Sequence, residues 1–318
     1  MLPHDPLVMR YVLGIDAGGT KTRALIADET ARVVGGALGG GANLRTHGEL
    51  EVEKVLHAVI EDARADAPAT PEAVALGIAG ADRPPDEAVL RAILRRIGFK
   101  NRVVVTNDAR IAFVAGSDLR VGLALVCGTG SIAWGRNRAG QVARSGGWGW
   151  HLGDEGSGFW IGERAIREVL RAVDGRGPST RLDRALSEHF EIAEPAQILY
   201  AIYDREFPRT RVAKFAARVE EAALAGDAVA KAVLSDAAAE LVRAASSVRD
   251  RLRLEEDVYD VVLSGGTFAA VPSLEADVTR RLETPRALVR KLVEEPAMGA
   301  VKLAIEALGS SQPGATVP

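Results

Sequence analysis

The first third of the chain alternates short apolar runs with glycine turns and amphipathic stretches. Apolar residues at 11–16 and 23–28 flank Gly18-Gly19-Thr20 and predict a strand, a tight turn and a strand, with a third strand over 31–38. Helical spacing between Leu50 and Ile60 precedes a strand over 74–79, a helix over 86–97 and a strand over 103–105. This order indicates one α/β half.

The same pattern starts again near residue 121. An apolar strand over 121–127, the turn Gly128-Thr129-Gly130-Ser131 and strands over 132–137 and 141–145 indicate an internal duplication. A helical region over 163–252, with breaks near 175–178 and at Pro208, precedes a strand over 258–263. A strand over 287–293 and an apolar helix over 296–308 close the pattern.

Length and charge narrow the possible functions. A chain of 318 residues, 47% of them hydrophobic, is long enough for two domains and a cleft. A net charge of −3 does not favour non-specific binding to nucleic acid or to an anionic membrane. The single cysteine, Cys127, excludes an intramolecular disulfide and a cysteine-only zinc site. With no signal-like start and no long apolar run, a cytoplasmic protein is expected.

The first motif with chemical content is Gly14-Ile15-Asp16-Ala17-Gly18-Gly19-Thr20-Lys21. Its glycines allow backbone amides to approach a phosphate, Thr20 offers a hydroxyl, and Asp16 at a strand end can hold hydrated Mg²⁺. It is not a P-loop, because Lys21 comes one residue late and a strand, rather than a helix, follows. An ordinary glycine-rich hairpin is the alternative.

The second motif, Cys127-Gly128-Thr129-Gly130-Ser131, takes the equivalent place in the second half. Two such turns facing one another could clamp the β- and γ-phosphates of a nucleotide, where positioning and electrostatics supply most of the catalysis. This interpretation depends on the occurrence of a similar turn in both halves, because a single glycine-threonine turn is weak evidence for phosphate binding.

The third motif is Thr106-Asn107-Asp108-Ala109, where a strand gives way to a helix. Asn107 or Asp108 could simply cap that helix. A carboxylate at the carboxyl end of a strand in an α/β sheet also points into the ligand crevice, where it can accept a proton from a hydroxyl that attacks the γ-phosphate. In company with the two turns, we favour Asp108 as the catalytic base.

The fourth motif is the glycine-rich loop Gly146–Gly158, which contains Trp148 and Asp154. Trp148 could cover an apolar sugar face, and Asp154 could bind sugar hydroxyls. The alternative is a loop that enters a helix, with Asp154 as its cap. A fifth motif, Leu263-Ser264-Gly265-Gly266-Thr267, could pass under an adenine ring, and a bare strand-to-helix turn is the alternative.

Taken in order, these motifs resemble the actin/hexokinase/Hsp70 superfamily, and within it the BadF/BadG/BcrA/BcrD branch that contains the N-acetylglucosamine kinases. The most specific piece is the loop GGWGWHLGDEGSGFWIG at 146–162. The resemblance implies an α/β protein with two RNase H-like lobes around a cleft, residues 1–117 with a returning helix 296–318 and residues 118–295. It also implies ATP with Mg²⁺, an amino sugar phosphorylated on its 6-hydroxyl, and a homodimer.

Site residues follow from the resemblance position by position. It implies Asp108 as the catalytic base and Asp16 as the Mg²⁺ position, through water. The ATP contacts implied are Gly18, Gly19, Thr20, Lys21, Thr129, Gly130, Ser131, Gly265 and Gly266. The sugar contacts implied are Asn43, Gly80, Asp108, Thr129, Gly147, Trp148, Asp154 and Gly158.

One departure and two alternatives qualify the resemblance. Ala79 stands where the animal enzymes have a serine near the sugar, so a hydroxyl contact worth about 0.5–1.5 kcal/mol is missing. N-acetylglucosamine, glucosamine and N-acetylmuramic acid all stay open as substrates. An ATPase activator of 2-hydroxyacyl-CoA dehydratases would need two cysteines per subunit for its iron–sulfur cluster, and this chain has one. A sugar sensor without catalysis would not need Asp108.

Overall fold

The computed structural model describes residues 9–65, 67–81, 83–203 and 209–309. Its strands are β1 (Tyr11–Ala17), β2 (Lys21–Asp28), β3 (Val33–Gly40), β4 (Ala73–Ile78), β5 (Val103–Thr106), β6 (Gly122–Cys127), β7 (Ser131–Arg136), β8 (Val142–Gly146), β9 (Tyr259–Ser264) and β10 (Ala287–Lys291). Its helices are α1 (Leu44–Arg64), α2 (Pro84–Ile97), α3 (Asp108–Gly116), α4 (Gly158–Val173), α5 (Leu182–Phe190), α6 (Ile198–Ile202), α7 (Arg209–Lys214), α8 (Ala216–Leu224), α9 (Ala228–Leu252), α10 (Gly266–Ala270), α11 (Pro272–Leu282) and α12 (Pro296–Gly309).

The chain forms two compact units, one from the described residues up to Arg120 together with those from Leu292 onward, the other from Val121–Lys291. Each unit contains one five-stranded sheet, with the orders β3-β2-β1-β4-β5 and β10-β9-β6-β7-β8. In both, an antiparallel meander of three strands is followed by two strands parallel to the first. The α/β class and the internal duplication that the sequence predicts are therefore confirmed.

The first sheet is covered on both faces. Leu13 and Ile15 belong to the core under α1 and α2, whereas Val12 packs in the core with α12. A Cβ on Gly14 would lie 2.7 Å from the Ala297 carbonyl oxygen, so only glycine lets α12 pack this closely on β1. Residues 14 and 16 share this face because strand side chains alternate, and Asp16 therefore points toward the start of α12.

The second unit has a single large core beneath its sheet. Helices α4, α8 and α9 contribute Val169, Val219 and Leu241 to that core, which also contains Leu125 and Val261 from the central strands. Side chains cap the helices that matter for the site, since the oxygens of Ser157 and Asp227 accept the Trp160 and Ala230 N–H groups. Helix α4 thus begins directly after the glycine loop.

Element positions agree with the sequence pattern at most places and differ at a few. The predicted strand over 287–293 ends at Lys291, and the helical region over 163–252, for which two breaks are predicted, is divided into the six helices α4 to α9. The break near 175–178 is confirmed, whereas Pro208 lies outside the described residues. Residues 310–318 of the predicted C-terminal helix also lie outside them. None of the helices in the described part of the chain is long and apolar enough to span a membrane.

Candidate active site

The first glycine turn joins β1 to β2. The Gly18 N–H donates to the Lys21 carbonyl oxygen at 2.9 Å, which closes a tight hairpin with Gly19, Thr20 and Lys21 exposed. Within the described chain, the N–H groups of Gly19 and Thr20 donate to no other backbone group outside the strand ladders. Two neighbouring unbonded N–H groups beside a hydroxyl form a concavity suited to an anion such as phosphate.

Asp16 lies at the end of β1, directly before this turn. Burial raises the pKa of its carboxyl to about 6, with the Lys21 charge acting against that rise and the Glu295 charge adding to it. Glu295 is itself held by Arg23, whose Nε is 2.9 Å from the Glu295 carboxylate. No hydrogen bond to the Asp16 side chain is made by any described residue, so its oxygens stay available to a hard cation. The residue fits hydrated Mg²⁺.

Asn43 and Gly80 lie next to each other. The Asn43 side-chain oxygen accepts the Arg45 and Thr46 N–H groups and thereby caps α1, while Asn43 Nδ2 donates to the Ala79 carbonyl oxygen at 3.2 Å. A Cβ on Gly80 would lie 3.9 Å from Asn43 Nδ2. The structure thus brings together two predicted sugar contacts that are far apart in sequence, although it uses much of the Asn43 amide for structure.

Asp108 is the first residue of α3, after the end of β5. Asn107 supplies the cap, because its Oδ1 accepts the Arg110 N–H at 2.7 Å. The half-buried Asp108 carboxylate accepts the N–H of its neighbour Ala109 at 3.0 Å. The capping alternative for this motif therefore belongs to Asn107, which leaves Asp108 at the carboxyl end of its strand.

The strand register brings these features to one edge of the first sheet. Asp16 pairs with Gly77 of β4, and Gly77 pairs with Thr106 of β5. Neighbouring strands lie about 4.8 Å apart, so Asp16 and Thr106 are separated by roughly 10 Å along the edge. The first turn, the Asn43–Gly80 contact and Asp108 all follow strand ends on this edge, which is where α/β sheets bind ligands.

The second glycine turn joins β6 to β7 and is fixed by its carbonyl groups. The Gly128 N–H donates to the Gly130 carbonyl oxygen at 2.9 Å, and the Gly128 carbonyl oxygen accepts from Thr267 Oγ1 at 2.8 Å and from the Gly158 N–H at 2.9 Å. The N–H groups of Thr129 and Gly130 donate to no other backbone group outside the ladders of the described chain. Each hairpin thus presents two adjacent amides, one from a glycine and one from a threonine, in opposite order along the chain.

Asp154 lies beneath this second turn. It is only 5% exposed, and a Cβ on Gly130 would lie 2.6 Å from its Oδ2. Burial raises the pKa of the Asp154 carboxyl, against which the backbone N–H groups of Ser131 and Gly149 and the Arg209 charge all act. The carboxylate therefore joins the glycine loop to the turn, and the prediction that it contacts a sugar stays a prediction.

Gly147 and Gly158 mark the two ends of the same loop. The Gly147 N–H donates to the Ser131 carbonyl oxygen at 2.9 Å, which extends the pairing of β7 and β8. Gly158 is buried at the start of α4, where a Cβ would lie 2.6 Å from Thr267 Oγ1. Gly158 thus permits the close approach of α4 to the second turn and is itself buried.

Trp148 is the exposed aromatic residue of the loop. Its side chain is 54% exposed, and the Arg144 guanidinium lies 4.8 Å from the centre of its ring. Trp150 behaves differently, because it packs on the core of the unit with its ring 5.4 Å from that of Phe159. Of the two tryptophans in the loop, Trp148 is therefore the more exposed, and its contact with a sugar stays a prediction.

The Gly265-Gly266 turn and Cys127 lie together. Gly265 has a φ of +114°, and a Cβ there would come closer than 3.0 Å to the Cys127 backbone, so glycine is required. Gly266 has open space around its α-carbon, and its contact with a nucleoside stays a prediction. Burial raises the pKa of the Cys127 thiol to about 12, and its Sγ contacts the Gly156 carbonyl oxygen at 3.4 Å. This thiol is neutral and enclosed, unlike a cluster ligand.

Four further residues belong to these surroundings. Thr267 holds the second turn, Arg209 faces Asp154 electrostatically, Glu295 raises the pKa of Asp16, and Arg144 stacks on Trp148. Thr267 ends a motif visible in the sequence, whereas the other three are charged residues outside any motif. Nothing in the local pattern distinguishes them from the many charged residues on the surface.

Comparison with known proteins gives a consistent result. The model of the BadF/BadG/BcrA/BcrD ATPase family matches residues 13–304. An N-acetylmuramic acid/N-acetylglucosamine kinase of Clostridium acetobutylicum is 32% identical over 93% of this chain and 98% of the relative. An N-acetyl-D-glucosamine kinase of Dictyostelium discoideum is 30% identical over 92% and 97%. The solved structure of a candidate N-acetylglucosamine kinase from Chromobacterium violaceum is 25% identical, with a TM-score of 0.68 over 93% of this chain and 99% of that one.

Proposed function

The chain belongs to the BadF/BadG/BcrA/BcrD ATPase family, and on that premise we propose that it is an ATP-dependent kinase that phosphorylates the 6-hydroxyl of an amino sugar. N-acetylglucosamine, glucosamine and N-acetylmuramic acid are the candidate acceptors. One observation carries the proposal beyond the names of the relatives. Two topologically equivalent hairpins each present a threonine and two unbonded amides. The Asp108 carboxylate lies at the same edge of the first sheet as the first hairpin.

Each hairpin would offer its free amides to phosphate oxygens. The N–H groups of Gly19 and Thr20 and those of Thr129 and Gly130 are donors aimed at no protein acceptor outside the ladders of the described chain. Such preorganised donors stabilise charge that develops on the transferred phosphoryl group without reorganising at the moment of reaction. Asp16 would hold hydrated Mg²⁺, which when bound would supply positive charge that offsets the negative charge of the phosphates.

Asp108 would act as the general base. Its carboxylate accepts the proton of the sugar 6-hydroxyl while that oxygen forms a bond to the γ-phosphorus. The bond between the γ-phosphorus and the β,γ-bridging oxygen breaks, and ADP leaves with that electron pair. The proton on Asp108 then passes to solvent, so the sugar 6-phosphate and ADP are the products. Placement of Asp108 next to the Asn107 cap, which fixes the start of α3, supports this role.

The variant Asp108→Asn tests the proposal. It keeps the shape of the side chain but removes the proton acceptor, so we expect kcat to fall about 10²- to 10⁴-fold, as is usual for loss of a general base. Calorimetric titration should still detect both the sugar and ATP with dissociation constants near those of the wild type. Turnover is measured by ADP release with each of the three candidate sugars.

A matched control is Asp118→Asn, the same chemical change at an exposed position of the same unit. This control should leave turnover unchanged. Turnover like that of the wild type in Asp108→Asn would remove the base assignment. Sugar binding without turnover in the wild-type protein, on any of the candidates, would instead favour a sugar sensor without catalysis.

A further inference from the structure

Arg144 lies on β8, two residues before Gly146, where the glycine-rich loop begins. Its guanidinium covers the Trp148 ring at 4.8 Å from the ring centre, while the Trp148 side chain is 54% exposed. The arginine therefore occupies one side of the aromatic ring that is proposed to cover the sugar. A ligand that stacked on the remaining surface of Trp148 would therefore lie close to this cation.

The guanidinium is only partly used within the protein. Arg144 Nη1 donates to the Gly146 carbonyl oxygen at 2.6 Å. Among the described residues no carboxylate forms an ion pair with Arg144, in contrast to Arg164 and Arg171, which both pair with Glu168. A guanidinium has five N–H donors in a planar fork, so its Nε and Nη2 edge keeps the geometry that binds a carboxylate in two parallel hydrogen bonds.

We propose that Arg144 binds an anionic substituent of the sugar and so makes the protein accept amino sugars that carry a carboxylate on an ether side arm, of which N-acetylmuramic acid is the simplest. The inference rests on the proposed kinase function and names the substrate class of that site. A lysine ammonium at this position would bind the carboxylate less well, because it lacks both the planar fork and the flat face that stacks on an indole.

The test compares N-acetylmuramic acid with N-acetylglucosamine, which lacks the acidic arm. In Arg144→Gln, which removes the charge but keeps an amide donor for Gly146, we expect kcat/KM for N-acetylmuramic acid to fall about 10- to 100-fold, equivalent to about 1.4–2.8 kcal/mol. The value for N-acetylglucosamine should stay within about threefold. Arg144→Lys should recover only part of the loss, since the charge returns without the fork.

The control is Arg251→Gln. Arg251 is exposed and its Nη1 donates to the Arg144 carbonyl oxygen at 2.7 Å, so this variant removes the same charge close to the same strand. It should not change the ratio of the two sugars. Equal losses of kcat/KM for both sugars in Arg144→Gln would mean that the arginine only holds the loop. A raised KM for ATP alone would mean that the arginine contacts the nucleotide. Either result overturns the proposal.

Binding measured without ATP separates this inference from the kinase function. Calorimetric titration of wild type and Arg144→Gln with each sugar needs no turnover. Selective loss of N-acetylmuramic acid binding would support the role of Arg144 even in a protein that transfers no phosphate. If the wild type binds or phosphorylates N-acetylglucosamine but not N-acetylmuramic acid, the proposed specificity is wrong while the kinase function stands.

Discussion

Replacing Asp16 by asparagine should make the first unit more stable and the protein less active. Burial raises the pKa of Asp16 from 3.8 to about 6, so the folded protein holds a proton there more tightly than the unfolded chain does. Each pKa unit corresponds to about 1.36 kcal/mol, which makes the ionised carboxylate unfavourable by at most about 3 kcal/mol above pH 6. A neutral amide of similar shape escapes that penalty, apart from its own smaller cost of burial.

The sign of the pH dependence follows from proton binding. Between pH 3.8 and about 6 the folded state binds more protons at Asp16 than the unfolded state, so its contribution to the unfolding free energy falls as the pH rises through that window. The difference between Asp16→Asn and wild type should therefore vanish near pH 4 and reach its full size by pH 7. The activity of Asp16→Asn should change in the direction opposite to its stability. It should fall, because the amide no longer offers an anionic ligand to Mg²⁺.

The measurement has to report on the first unit alone. The protein has four tryptophans, Trp134, Trp148, Trp150 and Trp160, and all lie in the second unit, so their fluorescence does not serve. Hydrogen exchange of peptides from β1, β2 and β4, followed at pH 5 and pH 7.5, reports the local opening free energy directly. Slower exchange in Asp16→Asn at pH 7.5, with loss of turnover, is the expected result.

Asp28→Asn is a control with the opposite sign. Hydrogen bonds, first from the Thr30 side chain, lower the pKa of Asp28, so its ionised form stabilises the fold and that contribution is lost as the pH falls through the folded pKa. This variant should exchange faster at pH 7.5. If Asp16→Asn also exchanges faster there, or if its effect does not change with pH, the reasoning about Asp16 is refuted.

Two other predictions concern the loop and the packing of α12. Trp148→Ala should raise the KM for the sugar at least about tenfold with little change for ATP, because it removes an aromatic surface that covers the sugar face; equal effects in steady-state kinetics would indicate a purely structural role. Gly299→Ala should destabilise the first unit by about 1–3 kcal/mol, since its Cβ would overlap the Ile111 carbonyl oxygen. Gly309→Ala, in open space on the same helix, should leave urea unfolding unchanged, and a neutral Gly299→Ala would contradict the packing.

The duplicated meander was predictable because its signals are local. Strand periodicity around Gly18-Gly19 and around Gly128 to Gly130 fixes each hairpin without knowledge of the rest of the chain. Glycines at close backbone contacts, such as Gly265 against Cys127, also stand out in a sequence, although what they contact does not. The candidate turns and the position of Asp108 after a strand were found for the same local reason.

Breaks in the helical region were harder to predict. Helix α5 ends at Phe190, and the next residue, Glu191, caps it with a φ of +56° although it is not glycine, so no residue type marks the end. The boundary between α8 and α9 did carry a signal, since Gly226 has a φ of +94° and Asp227 caps the next helix. The surrounding alanine-rich stretch favours helix throughout and outweighs that local signal.

Asp154 shows why the role of a site residue cannot be settled from its motif. A carboxylate in a glycine-rich loop suggests sugar binding, yet its oxygens lie against Gly130 and accept the N–H groups of Ser131 and Gly149. An ionised carboxylate offers about four acceptor positions, so these two bonds leave room for a sugar hydroxyl. Support of the turn and contact with the sugar are therefore compatible, and one side chain would couple the sugar loop to the phosphate turn. That coupling depends on a contact across twenty-four residues of sequence, between Gly130 and Asp154, which no local pattern contains.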